Sequence, residues 1–235
     1  MSTSDSTKRM GQLRIVSRTN EPFLDRSEAG KLLAAELADY RGKEPVVLGI
    51  PRGGIVIARE IVEALGGVLD VVLAHKLGTP GHAELAMGSV SEAGRVFLNE
   101  DVVTSVNVSA DYIEAEKARQ LAQIRRRIEM IRKVRPKVPL KGRTVIVTDD
   151  GVATGATTQA AFWAVAMEQP EKLVAAIPVG PEETVSRLAK HVDEMVCLKA
   201  PPLFYAVGQF YSRFNAVEDE DMLSILAADM RKKRA

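Results

Sequence analysis

The chain has 235 residues, 46% of them hydrophobic, and a formal net charge of +1 at pH 7. This length predicts one core domain with an appended lobe, and the balanced charge excludes the overall basic field typical of nucleic-acid-binding proteins. The single cysteine, Cys197, excludes an intramolecular disulfide and favours a cytoplasmic protein.

The N-terminal segment lacks the apolar stretch of a signal peptide, and we expect residues 1–12 to form a disordered tail. No apolar run in the chain reaches 18 residues, which predicts that no helix spans a membrane.

The apolar pattern then predicts alternating helices and buried strands within a core over residues 13–200. Ala29, Leu33 and Leu37 recur at helical spacing, and short apolar runs such as 46–50 are typical of strands buried on both faces. In chain order, the predicted elements are a helix at 26–40, a strand at 46–50, a helix at 55–65, strands at 69–74 and 144–148, a helix at 155–167, a strand at 173–178, a helix at 181–190, a strand at 192–198 and a helix at 219–230. This order predicts an α/β fold with an open, mainly parallel sheet and helices on both faces.

The middle of the chain has a different pattern. Residues 77–95 contain four glycines and one proline. This composition predicts a flexible loop that leads into a hairpin whose second arm is 95–98. Ser109 is expected to cap a long helix that ends near Val134 and carries one apolar stripe on an otherwise basic surface. We interpret the basic face as solvated; the alternative is contact with a partner or a phosphorylated ligand.

One segment carries most of the chemical information. The predicted strand 144–148 runs into Asp149 and Asp150, and small and hydroxyl residues follow as far as Thr157. Small residues let backbone N–H groups close around a phosphate, and a helix that begins near Gly155 would offer further donors. Carboxylates repel phosphate but bind hydroxyls or a metal. A phosphorylated sugar together with Mg²⁺ would satisfy all these groups.

This segment resembles the phosphoribosyl pyrophosphate signature of the type I phosphoribosyltransferases. The resemblance implies that Asp149 and Asp150 contact the ribose hydroxyls. It also implies that the 5′-phosphate is held by residues of the following loop, namely Val152, Ala153, Thr154, Gly155, Ala156 and Thr157. The alternative is a generic phosphate loop at a strand–helix junction, and the lack of a GxxxxGK[ST] pattern argues against a P-loop ATPase.

Two further segments are expected at the same edge of the sheet. The family's pyrophosphate loop resembles the segment Pro51-Arg52-Gly53-Gly54 of this chain. The two glycines would permit close approach of the backbone to an anion, and Arg52 would supply a positive charge. That loop often contains a non-proline cis peptide bond, so we expect one between Pro51 and Arg52. Lys76, at the end of the second predicted strand, could reach pyrophosphate; a surface lysine is the alternative.

The C-terminal segment 201–230 is expected to form a small hood and a helix. Four aromatic residues there are predicted to bind the acceptor because flat rings stack on bases: Phe204, Tyr205, Phe210 and Tyr211. The alternative is a small satellite core. The segment resembles the tail of a group of bacterial predicted phosphoribosyltransferases. Related enzymes that act on 6-oxopurines usually have an aspartate where this chain has Ala153, so the resemblance at this position argues against a 6-oxopurine acceptor. The Arg52-Gly53-Gly54 loop, in contrast, resembles the loop of that enzyme class.

The resemblance as a whole implies a homodimeric enzyme that transfers ribose 5-phosphate from phosphoribosyl pyrophosphate to a nitrogenous base and releases pyrophosphate. Arg52, Lys76, Asp149 and Asp150 would be the catalytic residues. Mg²⁺ would bind through the substrate, with Asp149 as the possible protein contact. The alternative is a non-catalytic sensor of phosphoribosyl pyrophosphate that binds RNA or protein through the basic helix.

Overall fold

The computed structural model describes residues 11–232, except for the side chains of residues 83 and 84. Its strands are β1 (Gln12–Ser17), β2 (Val46–Gly49), β3 (Val68–Val71), β4 (Ala74–Thr79), β5 (His82–Ser91), β6 (Val96–Leu98), β7 (Thr144–Thr148), β8 (Lys172–Val179) and β9 (Glu194–Lys199). Its α-helices are α1 (Arg26–Glu36), α2 (Gly54–Leu65), α3 (Glu100–Ser105), α4 (Ala110–Val134), α5 (Ala156–Ala166), α6 (Glu182–Ala189) and α7 (Asp219–Lys232).

Six strands form one sheet in the order β1-β9-β8-β7-β2-β3, and every neighbouring pair in it is parallel. One buried cluster covers one face with side chains of α1, α2 and α7, and a second covers the other face with side chains of α5 and α6. The central strands β2, β7 and β8 are buried along nearly their whole length, which explains their uninterrupted apolar runs. The predicted α/β fold is confirmed.

The edge strand β1 was not predicted. It pairs with β9, and its residues alternate between exposed and half-buried because only one face of this edge strand is covered. Of the expected disordered tail 1–12, residues 1–10 lie outside the described part of the chain, and Gln12 already belongs to β1.

The predicted hairpin is present, since β5 and β6 pair antiparallel, but strands also cover most of the stretch of 77–95 that was expected to form a loop. β4, β5 and β6 form a separate antiparallel sheet, with Leu77, Met87 and Val90 buried beneath it. One of the glycines that suggested a loop serves close strand packing, since a Cβ on Gly88 would lie 2.1 Å from the Phe97 carbonyl oxygen. The expected mobility of this segment stays a prediction.

The long helix α4 begins as predicted, with the Ser109 side chain accepting a hydrogen bond from the Tyr112 amide at 3.2 Å. It packs on the β4–β6 sheet and on α7, where Arg127 faces Asp219 and Arg135 faces Asp229, each at 3.5 Å. Within residues 11–232, no helix combines the length and the apolar character that crossing a bilayer requires.

The single cysteine provides a test of the β9 position. Cys197 is fully buried in β9, and burial raises the pKa of its thiol to about 12. Because the thiolate is the reactive form, the native protein should not react with a thiol reagent at pH 8, whereas one thiol per chain should react in denaturant. Rapid labelling of the native protein, followed by mass spectrometry, would contradict this placement.

Candidate functional site

The order of strands reverses between β2 and β7. From these neighbours the chain continues outward to β3 on one side and to β8 and β9 on the other. At such a switch point, the loops after the two strands leave a crevice in which α/β proteins bind ligands. Residues 50–53 follow β2 and residues 149–155 follow β7, so the two segments identified in the sequence meet at this crevice.

Glycines after β2 allow the two loops to touch. A Cβ on Gly53 would lie 1.9 Å from Asp150 Oδ2, and a Cβ on Gly54 would lie 2.7 Å from the Thr148 carbonyl oxygen. Side chains therefore do not fit at either position. The Gly54 amide donates to the Ile50 carbonyl at 3.0 Å, so this amide is bonded within the protein, and the part of Gly54 in binding pyrophosphate stays a prediction.

The loop after β2 presents cationic and amide groups. The peptide bond between Pro51 and Arg52 is cis, which confirms the expectation. In the described structure, the backbone amides of Arg52 and Gly53 have no acceptor, and they precede the first turn of α2, the positive end of its dipole. Arg52 Nη1 lies 2.6 Å from Oε2 of Glu218, which is the residue just before α7. This loop can therefore offer an anion two amides and one guanidinium.

Asp149 and Asp150 directly follow β7 at this switch point, and each is partly exposed. The Asp150 amide donates to Asp149 Oδ1 at 2.9 Å. Burial raises the pKa of Asp149 well above its usual range, and the adjacent Asp150 carboxylate adds to this effect. Among the described contacts, Asp149 Oδ2 and Asp150 Oδ1 accept no hydrogen bond, so one oxygen of each acid is available to a ligand.

Arg26 is a site residue that sequence reasoning missed. Its Nε and Nη2 both lie 2.8 Å from Asp150 Oδ2, and the two side chains are 11% and 16% exposed. Arg26 is the first residue of α1 and lies 124 positions before Asp150, so no local motif connects the two.

The loop after the acids has the form of an anion cradle. Gly155 adopts a left-handed conformation (φ 75°) as the residue before α5, and Ala153, Thr154 and Thr157 are exposed. Within residues 11–232, four amides of this segment donate no hydrogen bond, namely those of Ala153, Thr154, Gly155 and Thr157. The first turn of an α-helix leaves such donors unpaired.

Two other members of this loop are buried. The Val152 amide donates to the Val179 carbonyl at 2.8 Å and its side chain is buried, which corrects the expectation that Val152 binds phosphate. Ala156 is also buried, and its amide makes a long 3.5 Å contact with Thr154 Oγ1.

Helix α6 fixes the orientation of the cradle. Thr184 Oγ1 donates to the Ala153 carbonyl at 2.9 Å, and the Arg187 guanidinium donates to the Thr154 carbonyl. These two bonds hold the loop carbonyls against α6. A Cβ on Gly155 would lie 2.9 Å from the Thr184 side chain, so glycine is required here for space as well as for conformation.

Lys76 does not lie where the sequence suggested. The predicted second strand stops at Val71, and Lys76 belongs to β4 of the antiparallel sheet, where it pairs in register with Ser89. The argument that placed it at the carboxyl end of the parallel sheet is therefore wrong, and its catalytic role stays a prediction. His75 Nδ1 lies 2.9 Å from Gln120 Oε1, and burial lowers the pKa of this histidine.

The aromatic residues of the C-terminal segment divide into two groups. Phe210 and Tyr211 are 0% and 5% exposed, which corrects their assignment to the acceptor, since buried rings offer no face to a base. They belong to the main buried cluster on the α1–α2–α7 face of the sheet rather than to a separate satellite core, and the Tyr211 hydroxyl donates to the Asp150 carbonyl at 2.6 Å. Phe204 is half-buried and stacks on Phe210 at 5.3 Å, whereas Tyr205 is 84% exposed.

These features define a class: an open parallel α/β domain whose switch point joins paired carboxylates to an amide cradle. Residues 24–214 match the family model of the phosphoribosyl transferase domain. The chain belongs to this family and has the type I phosphoribosyltransferase fold.

Known relatives support the assignment. The crystal structure of TT1426 from Thermus thermophilus is 46% identical, with a TM-score of 0.84 over 88% of this chain and 98% of that one. Proteins of Mycobacterium tuberculosis strains CDC 1551 and H37Rv, provisionally named phosphoribosyl transferases, are each 43% identical over 204 residues, or 87% of this chain. Those residues make up 46% of each relative, so the chain spans about half the length of these curated proteins.

Proposed function

We propose that the protein is a phosphoribosyltransferase that transfers ribose 5-phosphate from phosphoribosyl pyrophosphate to a nitrogenous base or related acceptor. One observation carries this proposal: two carboxylates and a cradle of unpaired amides lie together at the switch point. Each carboxylate has one oxygen that accepts no hydrogen bond among the described contacts. A generic phosphate loop accounts for the amides but not for the adjacent acids, whereas a phosphorylated ribose uses both.

The sugar would bind to the acids. Asp149 Oδ2 and Asp150 Oδ1 would accept hydrogen bonds from the two ribose hydroxyls, because carboxylates are strong acceptors for a diol. The 5′-phosphate would accept from the amides of Ala153, Thr154 and Gly155 and from Thr157, at the positive end of the α5 dipole. These contacts would orient C1 of the ribose towards the acceptor.

The leaving group would bind to the loop after β2. Negative charge grows on pyrophosphate as the bond from C1 to oxygen breaks and the bond from C1 to the acceptor nitrogen forms. The Arg52 guanidinium and the Gly53 amide would stabilise that charge. In the present structure Glu218 pairs with Arg52, so pyrophosphate would take the place of this carboxylate.

The residues present fit Mg²⁺ delivered by the substrate. Within the described residues, no cluster of three or more His, Cys, Asp or Glu side chains could hold a metal by itself. Mg²⁺ commonly binds one or two carboxylates together with substrate phosphates, and Asp149 could supply the protein contact. When bound, the ion would neutralise charge on the pyrophosphate oxygens. A cytoplasmic location and a homodimer are further parts of this proposal.

The acceptor would bind beside Phe204. A groove of about 410 Å³ lies at the carboxyl ends of β1, β8 and β9, bordered by Phe204, Arg18, Glu182 and Pro201. It neighbours the cradle because β8 is adjacent to β7. The exposed Tyr205 ring next to Phe204 is the second candidate for stacking on a base.

A panel of nucleobases with phosphoribosyl pyrophosphate and Mg²⁺ tests the proposal. We expect pyrophosphate release with at least one acceptor, and loss of that release in a Thr157→Val variant, which removes a hydroxyl donor from the cradle. Calorimetry on the same samples separates the alternatives. Binding of phosphoribosyl pyrophosphate with no release across the panel would favour the non-catalytic sensor, and no binding would contradict both functions.

A further inference from the structure

The contacts of Arg26 connect three parts of the molecule. Besides its two bonds to Asp150 Oδ2, Arg26 donates from Nη1 to the Asn215 carbonyl at 2.8 Å. Its guanidinium lies 3.9 Å from the centre of the Phe214 ring, within the range of a cation–π contact. One side chain at the start of α1 therefore contacts both a sugar-binding acid and the C-terminal segment.

The contacts leave Asp150 little freedom. Oδ2 lies between the Arg26 guanidinium and Gly53, where a Cβ would approach to 1.9 Å. The Asp150 carbonyl accepts from the Tyr211 hydroxyl at 2.6 Å. With Oδ2 held on one side and the carbonyl on the other, Oδ1 is the oxygen that remains for a ligand.

The C-terminal segment is held to the same region by backbone bonds. Phe23 donates to the Phe210 carbonyl, Ser212 donates to the Phe23 carbonyl, and Arg213 donates to the Leu24 carbonyl, at 2.8 to 2.9 Å. Phe214 stacks on Tyr211 at 5.1 Å. These bonds bring Phe214 and Asn215 to Arg26, although nearly 190 positions separate them along the chain.

We propose that Arg26 is a positioning residue of the sugar site: it holds the Asp150 carboxylate in the orientation that leaves Oδ1 for the ribose, and it fastens residues 211–215 beside that carboxylate. This inference rests on the proposed function of Asp150. Arginine suits the task because its planar fork can bond the carboxylate and a carbonyl at once while stacking on a ring. Lysine would keep the charge but lose the fork.

Three variants and one ligand test the inference. Arg26→Gln removes the charge and the fork, and Arg26→Lys removes only the fork. Arg14→Gln is the matched control. Arg14 also donates to a carboxylate and to a carbonyl, and both belong to Glu36, the last residue of α1. The probe is phosphoribosyl pyrophosphate with Mg²⁺, measured by calorimetry on protein shown to be folded by circular dichroism.

We expect Arg26→Gln to weaken binding about tenfold or more, Arg26→Lys to recover part of that loss, and Arg14→Gln to bind like the wild type. Hydrogen exchange at the Ser212 and Arg213 amides should become faster in Arg26→Gln and keep the wild-type rate in Arg14→Gln. Equal affinity of wild type and Arg26→Gln would overturn the inference, as would a similar loss in Arg14→Gln. No binding by the wild type would instead overturn the proposed function.

Discussion

Asp150→Asn is expected to lower the affinity for phosphoribosyl pyrophosphate by roughly ten- to a hundredfold while leaving the chain folded. The asparagine oxygen can still accept from Arg26, but the amide carries no charge and turns an NH₂ group towards the ribose hydroxyl. A hydrogen bond to a charged group contributes about 1.5–3 kcal/mol, and each 1.4 kcal/mol corresponds to about tenfold in affinity. Titration calorimetry with Mg²⁺ present measures the loss.

A matched control separates this effect from a general loss of ion pairing. Glu63 pairs with Lys232 at 2.7 Å near the far end of α2, and this pair is exposed. Glu63→Gln should therefore keep wild-type affinity and change the free energy of unfolding by no more than about 1 kcal/mol. If Asp150→Asn bound phosphoribosyl pyrophosphate as tightly as Glu63→Gln, the assignment of the acids to the ribose would be wrong.

The second large effect is expected for Gly155→Ala. At φ 75° an alanine is strained by about 1–2 kcal/mol, and its Cβ would also lie 2.9 Å from the Thr184 side chain, which braces the cradle through the Ala153 carbonyl. The cradle would have to shift, and its amides would no longer converge on one phosphate. We expect affinity for phosphoribosyl pyrophosphate to fall by at least about tenfold, a loss equivalent to about 1.4 kcal/mol.

Gly142→Ala is the control for this variant. Gly142 also has a left-handed backbone (φ 68°), but a Cβ there would have no neighbour within 4 Å. Thermal unfolding of the two variants measures their loss of stability. In Gly142→Ala the loss comes from the left-handed backbone alone, whereas in Gly155→Ala the clash with Thr184 adds to it. Gly142→Ala should lose stability but no affinity; an equal loss of affinity in both variants would contradict the cradle.

The local parts of the site followed from the sequence. The run from Val145 to Thr157 places strand, acids, small loop and helix start in consecutive positions, so each part can be recognised from residues that are close together in the sequence. The cis bond at Pro51 was expected for the same reason, because it belongs to a short recognisable loop. The sheet was also predictable, since strands buried on both faces leave long apolar runs.

Other expectations failed where the sequence pattern has two structural meanings. Glycines in 77–95 suggested a loop before the predicted hairpin, yet β4 and β5 pair along this stretch, and Gly88 permits close packing of β5 on β6. The aromatic rings near the C terminus suggested a stacking surface, yet Phe210 fills a core. A glycine in a loop and a glycine in a packed strand look the same in the sequence, and so do an exposed and a buried aromatic ring. Only the neighbours in the folded structure distinguish the two cases.

The sequence by itself determined the α/β class and the anion-binding junction after β7, because both are encoded in contiguous residues. The tertiary structure decided which distant residues complete that junction. Arg26 reaches Asp150 across 124 positions and Glu218 reaches Arg52 across 166. Contacts of this kind form only when the sheet and its helices assemble, so they leave no periodicity or motif in a single chain.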